Sequence, residues 1–279
     1  MRTLEVSTII PKIEEMCINA NYYVDRSLLQ TLTTAKEVET SSLGKTILSQ
    51  IIENDKIATK EQVPMCQDTG IVVVFVELGY ELQLIGNLEE AINEGIRRGY
   101  EQGYLRKSVV WHPLNRVNTK DNTPAIIHYQ LVPGEQLKIT IAPKGAGSEN
   151  VSAISMLKPS DGYDGVKQFV LDTILKAGGN PCPPIIVGVG IGGNFEKCAL
   201  LSKQALMREL EDTSSDEIAQ QLEKELLEEI NQLNIGPMGF GGKTTALAVK
   251  VNTYPCHIAS LPVAVNIQCH ASRHLTETF

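Results

Sequence analysis

The sequence has little that would bind a nucleic acid and nothing that would cross a membrane. Aromatic residues make up 5% of its 279 positions, tryptophan occurs once, and the net charge is -8. Such a surface repels a phosphate backbone and offers few rings for bases to stack on, so a nucleic-acid partner is excluded. No apolar run approaches the roughly 20 residues of a spanning helix, and Met1-Arg2-Thr3-Leu4-Glu5 opens no secretory leader. A cytoplasmic protein without a membrane segment is the expectation. Cysteine is sparse, at six residues, and no Cys-x-x-Cys pair occurs. A disulfide scaffold is therefore excluded, and the cysteines are thiols or metal ligands. There is no internal repeat, low-complexity tract or composition break, which points to a single lobed domain over residues 1–279.

What is present is a globular core, with 42% hydrophobic residues. Val6, Ile9, Ile10, Ile13 and Met16, then Leu28, Leu29 and Leu32, then Leu43, Ile47, Leu48, Ile51 and Ile52 keep helical spacing. They predict a helical N-terminal part over about 1–60, with Pro11 in a first turn. The continuous run Ile71–Val76 reads as a strand buried on both faces, and Asn87 as the N-cap of a helix ending near Gly103. Ile126–Val132 and Gln136–Ala142 flank Pro133-Gly134-Glu135 and predict a β-hairpin. A helix over 161–177 ends at Gly178-Gly179, and a strand runs over 185–189. A helical region from 194 to about 234 is broken near 212–215. In its second half Leu222, Leu226, Leu227 and Ile230 face inward, with Glu223, Lys224, Glu225, Glu228 and Glu229 expected in solvent. Two strand-like stretches, 246–252 and 261–268, complete the chain. The fold class is α/β, with mixed α+β as the alternative: a helical N-terminal region packed around a mixed sheet.

Two glycine motifs suggest nucleotides and fail. Gly188-Val189-Gly190-Ile191-Gly192-Gly193 matches G-x-G-x-x-G, but Glu209-Leu210-Glu211 falls in helix where the fingerprint requires a strand ending in an acid. A nicotinamide dehydrogenase is thereby disfavoured. Counting back from Gly242-Lys243-Thr244, a phosphate loop needs glycine where Pro237 stands, and a strand pattern follows instead of a helix. A glycine-rich segment carrying Lys243 still suits a carboxylate.

Cys66-Gln67-Asp68-Thr69-Gly70 sets a thiol, an amide, a carboxylate and a hydroxyl just ahead of a buried strand. It is an ordinary turn with a small buried cysteine, or it faces a site. Pro143 to Asn150 carries Lys144, Gly145, Gly147 and Ser148, a flexible loop or a nest of backbone N–H groups for an anion. Cys66, Cys182 and Cys269 each stand at a strand end beside a polar or glycine-rich turn. Cys17, Cys198 and Cys256 read as buried, inert thiols. Three thiolates suit zinc, or an iron–sulfur cluster with one iron not ligated by protein, whose Lewis acidity would help a hydroxide leave a 2-hydroxy acid.

Met65-Cys66-Gln67-Asp68-Thr69-Gly70, Pro143-Lys144-Gly145-Ala146-Gly147-Ser148, Cys182-Pro183-Pro184, Gly239-Phe240-Gly241-Gly242-Lys243 and Cys269-His270-Ala271-Ser272-Arg273 together resemble class I fumarate hydratase. More narrowly the chain resembles the alpha subunit of the two-subunit form, with the tartrate dehydratase alpha subunit close by. The resemblance implies a hydro-lyase of the citric acid cycle that hydrates fumarate to malate with a [4Fe-4S] cluster held by Cys66, Cys182 and Cys269. It implies Asp68 and His257 as catalytic residues, and Gln67, Arg106, Lys144, Gly147, Lys243 and Arg273 as contacts for a small dicarboxylate. It also implies an oligomer with a beta subunit that supplies further arginine, lysine and threonine. His270-Ala271-Ser272 and Cys256 depart from the single-chain members, which bears on substrate preference. Two rivals are L-tartrate dehydratase and a non-enzymatic iron–sulfur carrier or sensor, which would need Cys198 or Cys256 as a fourth ligand.

Overall fold

A computed structural model describes residues 2–279. The helical opening is realised after a short strand, β1 (Arg2–Glu5), as α1 (Ile10–Tyr22), α2 (Arg26–Val38) and α3 (Ser42–Glu61). Pro11 sits in the first turn of α1, where its missing N–H leaves no bond unmade, and Asp25 caps α2 through the N–H groups of Ser27 and Leu28. There follow β2 (Ile71–Gly79), β3 (Leu82–Ile85), α4 (Leu88–Gln102), β4 (Ile126–Val132), β5 (Leu137–Lys144) and the single turn α5 (Ala146–Glu149). The remainder is β6 (Ala153–Leu157), α6 (Gly162–Ala177), β7 (Ile185–Gly192), α7 (Phe195–Ala205), α8 (Glu217–Gln232), β8 (Ala246–Tyr254), β9 (Leu261–Gln268) and β10 (Leu275–Thr278). Asn87 caps α4 by accepting from Glu90 N–H at 3.2 Å, and α6 stops at Gly178, whose φ is +53°. The class is α/β with mixed sheets, as the sequence suggests.

The residues group into two compact units, each built on its own four-stranded sheet, and the first also holds the parallel pair β1-β3. The first comprises Met1–Val24, Asn54–Ala146 and Arg273–Phe279; the second comprises Asp25–Glu53 and Gly147–Ser272. In the first unit the strand order is β10-β5-β2-β4, with β2 antiparallel to β5 and parallel to β4. This corrects the expected hairpin: β4 and β5 are adjacent in sequence, but β2 lies between them. The reason is apolar content. The β2 run Val72, Val73, Val74 and Val76 is at most 2% exposed and takes the centre of the sheet, while β4, with Leu131 at 70% exposed, is left at the edge. Helices α1 and α4, with Ile9 of the turn before α1, cover β2 and β5 through Ile13, Met16, Ile92, Ile96 and Tyr100. Gly95 and Gly99 bring these helices together, for a Cβ on Gly95 would lie 2.6 Å from Ile13 Cβ.

In the second unit the order is β6-β9-β7-β8. Val187, Val189, Val249, Val251, Val265 and Ile267 pack against α6 and α8. The alternate residues Gly188 and Gly190 face α7, because side chains switch faces at every step along a strand. A Cβ at either would come within 2.1 Å of a carbonyl oxygen on α7, that of Ser202 or Cys198. The G-x-G-x-x-G pattern is therefore a seat for a helix and has no bearing on phosphate. Gly190→Ala is expected to lower stability by at least about 1–3 kcal/mol, the usual cost of overpacking, as read by chemical denaturation.

The break between α7 and α8 is longer than the spacing suggests, spanning 206–216, and it is pinned by buried ions. Glu223 corrects its expected place in solvent: it is 6% exposed and accepts from Arg208 Nη1 at 2.7 Å and Val251 N–H at 2.8 Å. Glu225 and Glu229 both pair with Lys167.

Candidate functional site

In the first unit, strand register gathers the polar segments at one end of the sheet. Ile71, the first residue of β2, lies opposite Lys144, the last of β5, and Leu275, the first of β10, lies opposite Ile141. Residues 65–70, 144–146 and 273 therefore meet there. The 65–70 segment is an immobilised turn. Met65 N–H donates to Asn21 O at 2.9 Å and Asn54 Nδ2 to Met65 O at 2.8 Å. Tyr100 Oη donates to Thr69 O at 2.6 Å and Asn122 Nδ2 to Gly70 O at 3.1 Å. Burial pushes the Tyr100 phenol well above its ordinary pKa, so it remains a donor throughout the working pH range. Gly70 has φ +76°, and a Cβ there would stand 2.6 Å from the Lys144 backbone.

Asp68 joins this turn to the Lys144-Gly145-Ala146 loop. Its Oδ1 accepts from Gly70 N–H at 3.0 Å and its Oδ2 from Ala146 N–H at 2.8 Å. Arg273 lies behind it, 4% exposed, with Nη1 donating to Asp68 O at 2.8 Å and Asn21 Oδ1 at 3.0 Å. Cys66 is half-buried, and its sulfur accepts from Asp68 N–H at 3.4 Å. Gln67 and Arg106 are exposed; Thr69 Oγ1 holds the Arg106 carbonyl at 3.0 Å, and Lys144 is buried.

Directly after Asn54 on α3 lies a buried carboxyl. Asp55 is 2% exposed and neither oxygen has a hydrogen-bond partner. Burial raises its pKa to about 6, with the adjacent Asn54 amide pulling weakly the other way. The unfolded value is lower, so the folded state binds this proton more tightly and stability falls as pH rises from about 4 through 6. Asp55→Asn is expected to raise Tm at pH 7.5, by up to about 3 kcal/mol of stability at 1.36 kcal/mol per unit, with the gain shrinking towards pH 5.

The second unit gathers its segments the same way. Ile186 of β7 opposes Gln268 of β9, Ile185 pairs with Ala246 of β8, and Ala153 of β6 opposes Val265. Residues 147–152, Cys182, the glycine-rich loop before β8 and Cys269 therefore share one end of that sheet. Cys182 holds φ +56°, a conformation that costs a non-glycine residue about 1–3 kcal/mol and persists only where neighbours enforce it. Gly147 lies against this turn, its absent Cβ 3.6 Å from Asn180 O. Glu149 accepts from Lys203 Nζ at 2.7 Å and Asn266 Nδ2 at 2.9 Å, and Ser152 Oγ accepts from Ile267 N–H at 3.2 Å, so loop 147–152 is tied to the end of β9. Gln268 Nε2 points at the Cys269 sulfur at 3.6 Å.

His257 is not at this end. It lies exposed in the β8–β9 loop, beyond the start of β9. With 8 residues in β9 at about 3.3 Å each, that is roughly 25 Å from Cys269 along the strand. Cys256 shares the loop and corrects its expected burial: it is exposed, while Cys17 and Cys198 are fully buried with burial holding both thiols above their usual pKa. All six cysteines are outside disulfides. Among the described residues no three of His, Cys, Asp or Glu stand together as a metal-holding group, and no helix is long and apolar enough to cross a membrane. Sequence reasoning missed the supporting residues Asn21, Asn54, Tyr100 and Asn122. The one signal available was Asn21, a polar residue in register with the apolar stripe of α1.

The family model described as fumarate hydratase (Fumerase) matches residues 10–278. The chain belongs to that family. A protein of Methanocaldococcus jannaschii named putative L(+)-tartrate dehydratase subunit alpha is 46% identical over 268 residues, covering 94% of each chain. The L(+)-tartrate dehydratase subunit alpha of Escherichia coli (strain UTI89 / UPEC) is 33% identical over 253 residues, covering 89% of this chain and 83% of that protein. Its counterpart in Escherichia coli (strain K12) is 32% identical over the same length. The chain is thus a hydro-lyase subunit of the alpha type in the fumarate hydratase family. The five motifs that suggested the resemblance all fall within the matched span.

Proposed function

We propose that the protein is the alpha subunit of an iron–sulfur hydro-lyase that reversibly dehydrates a four-carbon 2-hydroxydicarboxylate, malate to fumarate. The observation that carries the reading is the pairing of family membership with three half-buried strand-end thiols, Cys66, Cys182 and Cys269. Their chemistry fits a [4Fe-4S] cluster: soft sulfur donors, with N–H groups directed at Cys66 and Cys269. When bound, such a group supplies a Lewis acid for the departing hydroxyl. A carrier or sensor is disfavoured, because a fourth thiolate is lacking: Cys198 is buried under β7 and Cys256 lies at the far end of the sheet.

The chain's own residues then bind and orient. Arg106 presents an exposed guanidinium to one carboxylate, with Lys144, Lys243 and Arg273 adding positive charge and Gly147 a bare N–H. Gln67 offers its amide. Asp68 uses one lone pair on each oxygen internally and keeps others for a substrate hydroxyl, so it positions as well as takes part in proton movement. His257 lies a strand's length from Cys182 and Cys269 in its own unit, so it serves the pocket of a second copy, which makes the enzyme an oligomer. A beta subunit contributes the remaining arginine, lysine and threonine, and residues 1–279 form the catalytic domain of a cytoplasmic enzyme.

The second reading is L-tartrate dehydration, favoured by the names of the three relatives. The test is anaerobic purification with the beta subunit and a side-by-side rate comparison. Fumarate formed from malate is followed by ultraviolet absorbance, and oxaloacetate formed from L-tartrate by a coupled assay. Faster turnover of L-tartrate establishes the second reading. No turnover of either acid by a protein with a full complement of iron and sulfide removes both.

A further inference from the structure

The glycine-rich loop of the second unit, 236–245, is held partly by its own hydrogen bonds and partly from outside. Gly236, Met238, Gly239, Gly241 and Gly242 all have positive φ. Gly239 N–H donates to Gly236 O at 3.0 Å, Gly241 N–H to Ile235 O at 2.8 Å and Gly242 N–H to Asn234 Oδ1 at 3.0 Å, but the N–H groups of Lys243 and Thr244 are met by a group from outside the loop. That group is Glu39, at the end of α2, only 1% exposed. Its carboxylate accepts from Thr40 N–H at 2.8 Å and Ser41 N–H at 3.0 Å on its own side. From the loop it accepts Lys243 N–H at 2.9 Å on both oxygens and Thr244 N–H at 3.1 Å. A Cβ on Gly242 would stand 2.9 Å from one of those oxygens, so the loop wraps the carboxylate closely. Burial raises the pKa of this carboxyl, but the four N–H groups outweigh burial and leave it below the ordinary range. The backbone groups that would suit a substrate carboxylate are thus occupied by an internal one.

The far side of the loop bears on Cys182. Met238 N–H donates to Pro183 O at 2.8 Å. Gly239 and Gly179 are stacked so closely that a Cβ on Gly239 would lie 2.6 Å from Gly179 Cα. Gly179 O in turn accepts from Cys182 N–H at 3.1 Å, and Thr245 O accepts from Ile185 N–H at 2.9 Å. The left-handed conformation of Cys182 is therefore held from the loop, and the 243–244 end of the loop from Glu39.

We propose that Glu39 is a positioning residue for Cys182: its buried carboxylate locks the glycine-rich loop, and the loop holds the Cys182 turn in the conformation that presents the thiol. This rests on reading Cys182 as a cluster ligand. Glu39 touches neither substrate nor cluster and acts through the backbone.

The test measures thiol reactivity on the full-length chain with its beta subunit, stripped of cluster and fully reduced. Each cysteine is alkylated with iodoacetamide over time and quantified by peptide mass spectrometry. Glu39→Gln keeps the shape but sets an amide N–H2 against backbone donors. It is expected to change the Cys182 alkylation rate by roughly tenfold, as loss of hydrogen bonds to a charged acceptor opens the turn more often, with Cys269 and Cys198 unchanged. Glu39→Asp, too short to span the clamp, is expected to lie between Glu39→Gln and wild type. Gly239→Ala leaves the clamp intact but separates the loop from Gly179; it is expected to reproduce the Cys182 effect and decides the matter if Glu39→Gln does not fold. Iron retention after anaerobic reconstitution should fall in parallel. A Cys182 rate equal to wild type in a folded Glu39→Gln or in Gly239→Ala overturns the proposal, as does an equal change at every cysteine. Wild-type protein that takes up no cluster would overturn the assignment of Cys182 as a ligand, while leaving the thiol measurement to judge Glu39 by itself.

Discussion

Cys182→Ser is expected to leave a folded chain that holds little iron and has lost its dehydratase activity. The substitution removes no packing of consequence, since Cys182 is half-buried and serine keeps the shape of the side chain. The backbone at φ +56° is enforced by Gly179 and the glycine-rich loop, neither of which the change touches. What changes is the donor atom. A serine hydroxyl is hard and protonated at neutral pH, whereas thiolate sulfur is the ligand that iron–sulfur clusters take. Iron and acid-labile sulfide should fall severalfold after anaerobic reconstitution. The rate should fall by at least roughly 10²–10³, the scale on which removal of one element of charge stabilisation is felt. Cys66→Ser and Cys269→Ser should behave alike, while Cys256→Ser, at the exposed far end of the sheet, should retain both iron and activity. Full iron content and wild-type turnover in Cys182→Ser would remove the cluster assignment.

Arg273→Ala is expected to be the most damaging single change in the first unit short of its core. Its guanidinium Nη1 ties Asp68 O to Asn21 Oδ1, joining the turn before β2 to α1. Removal leaves two acceptors without their donor, at about 1–3 kcal/mol each, and releases the carbonyl behind the Asp68 carboxylate. A lower midpoint in chemical denaturation and a large loss of kcat should appear together. Arg273→Lys keeps the charge but is shorter and lacks the rigid plane that sets Nη1 between both acceptors, so it should recover part of the stability and little of the rate. If Arg273 acted only on the substrate carboxylate, the same substitution would raise KM and leave the denaturation midpoint unchanged. The two measurements together therefore separate positioning from binding.

The same residues show how far the chain could be read without coordinates. The helices of 6–57, the buried strand at 71, the Asn87 cap and the Gly178 stop were legible because each follows from local spacing or a single capping side chain. Strand partners were not, because they depend on which segment competes best for the middle of a sheet. The hairpin expected of 126–142 lost to β2, whose valines demand burial on both faces. Glu223 illustrates a second limit. By periodicity it belongs to a solvated face, and only the return of Arg208 and β8 brings it a cation and an N–H donor.

The candidate site divides along the same line. Sequence by itself determined the chemistry: three thiols at strand ends, an Asp-Thr-Gly turn, and lysines among glycines, in an order that places the chain in the fumarate hydratase family. These are covalent properties of the residues and need no fold to be read. Tertiary structure decided which of them are held and by what. Register brings Cys182 and Cys269 to one end of a sheet and sends His257 to the other. Backbone clearances turn the G-x-G-x-x-G motif into the seat of α7, and a buried glutamate far away in sequence takes the N–H groups that a sequence reader would reserve for substrate. Those outcomes are set by contacts between segments distant along the chain, and no local pattern encodes them.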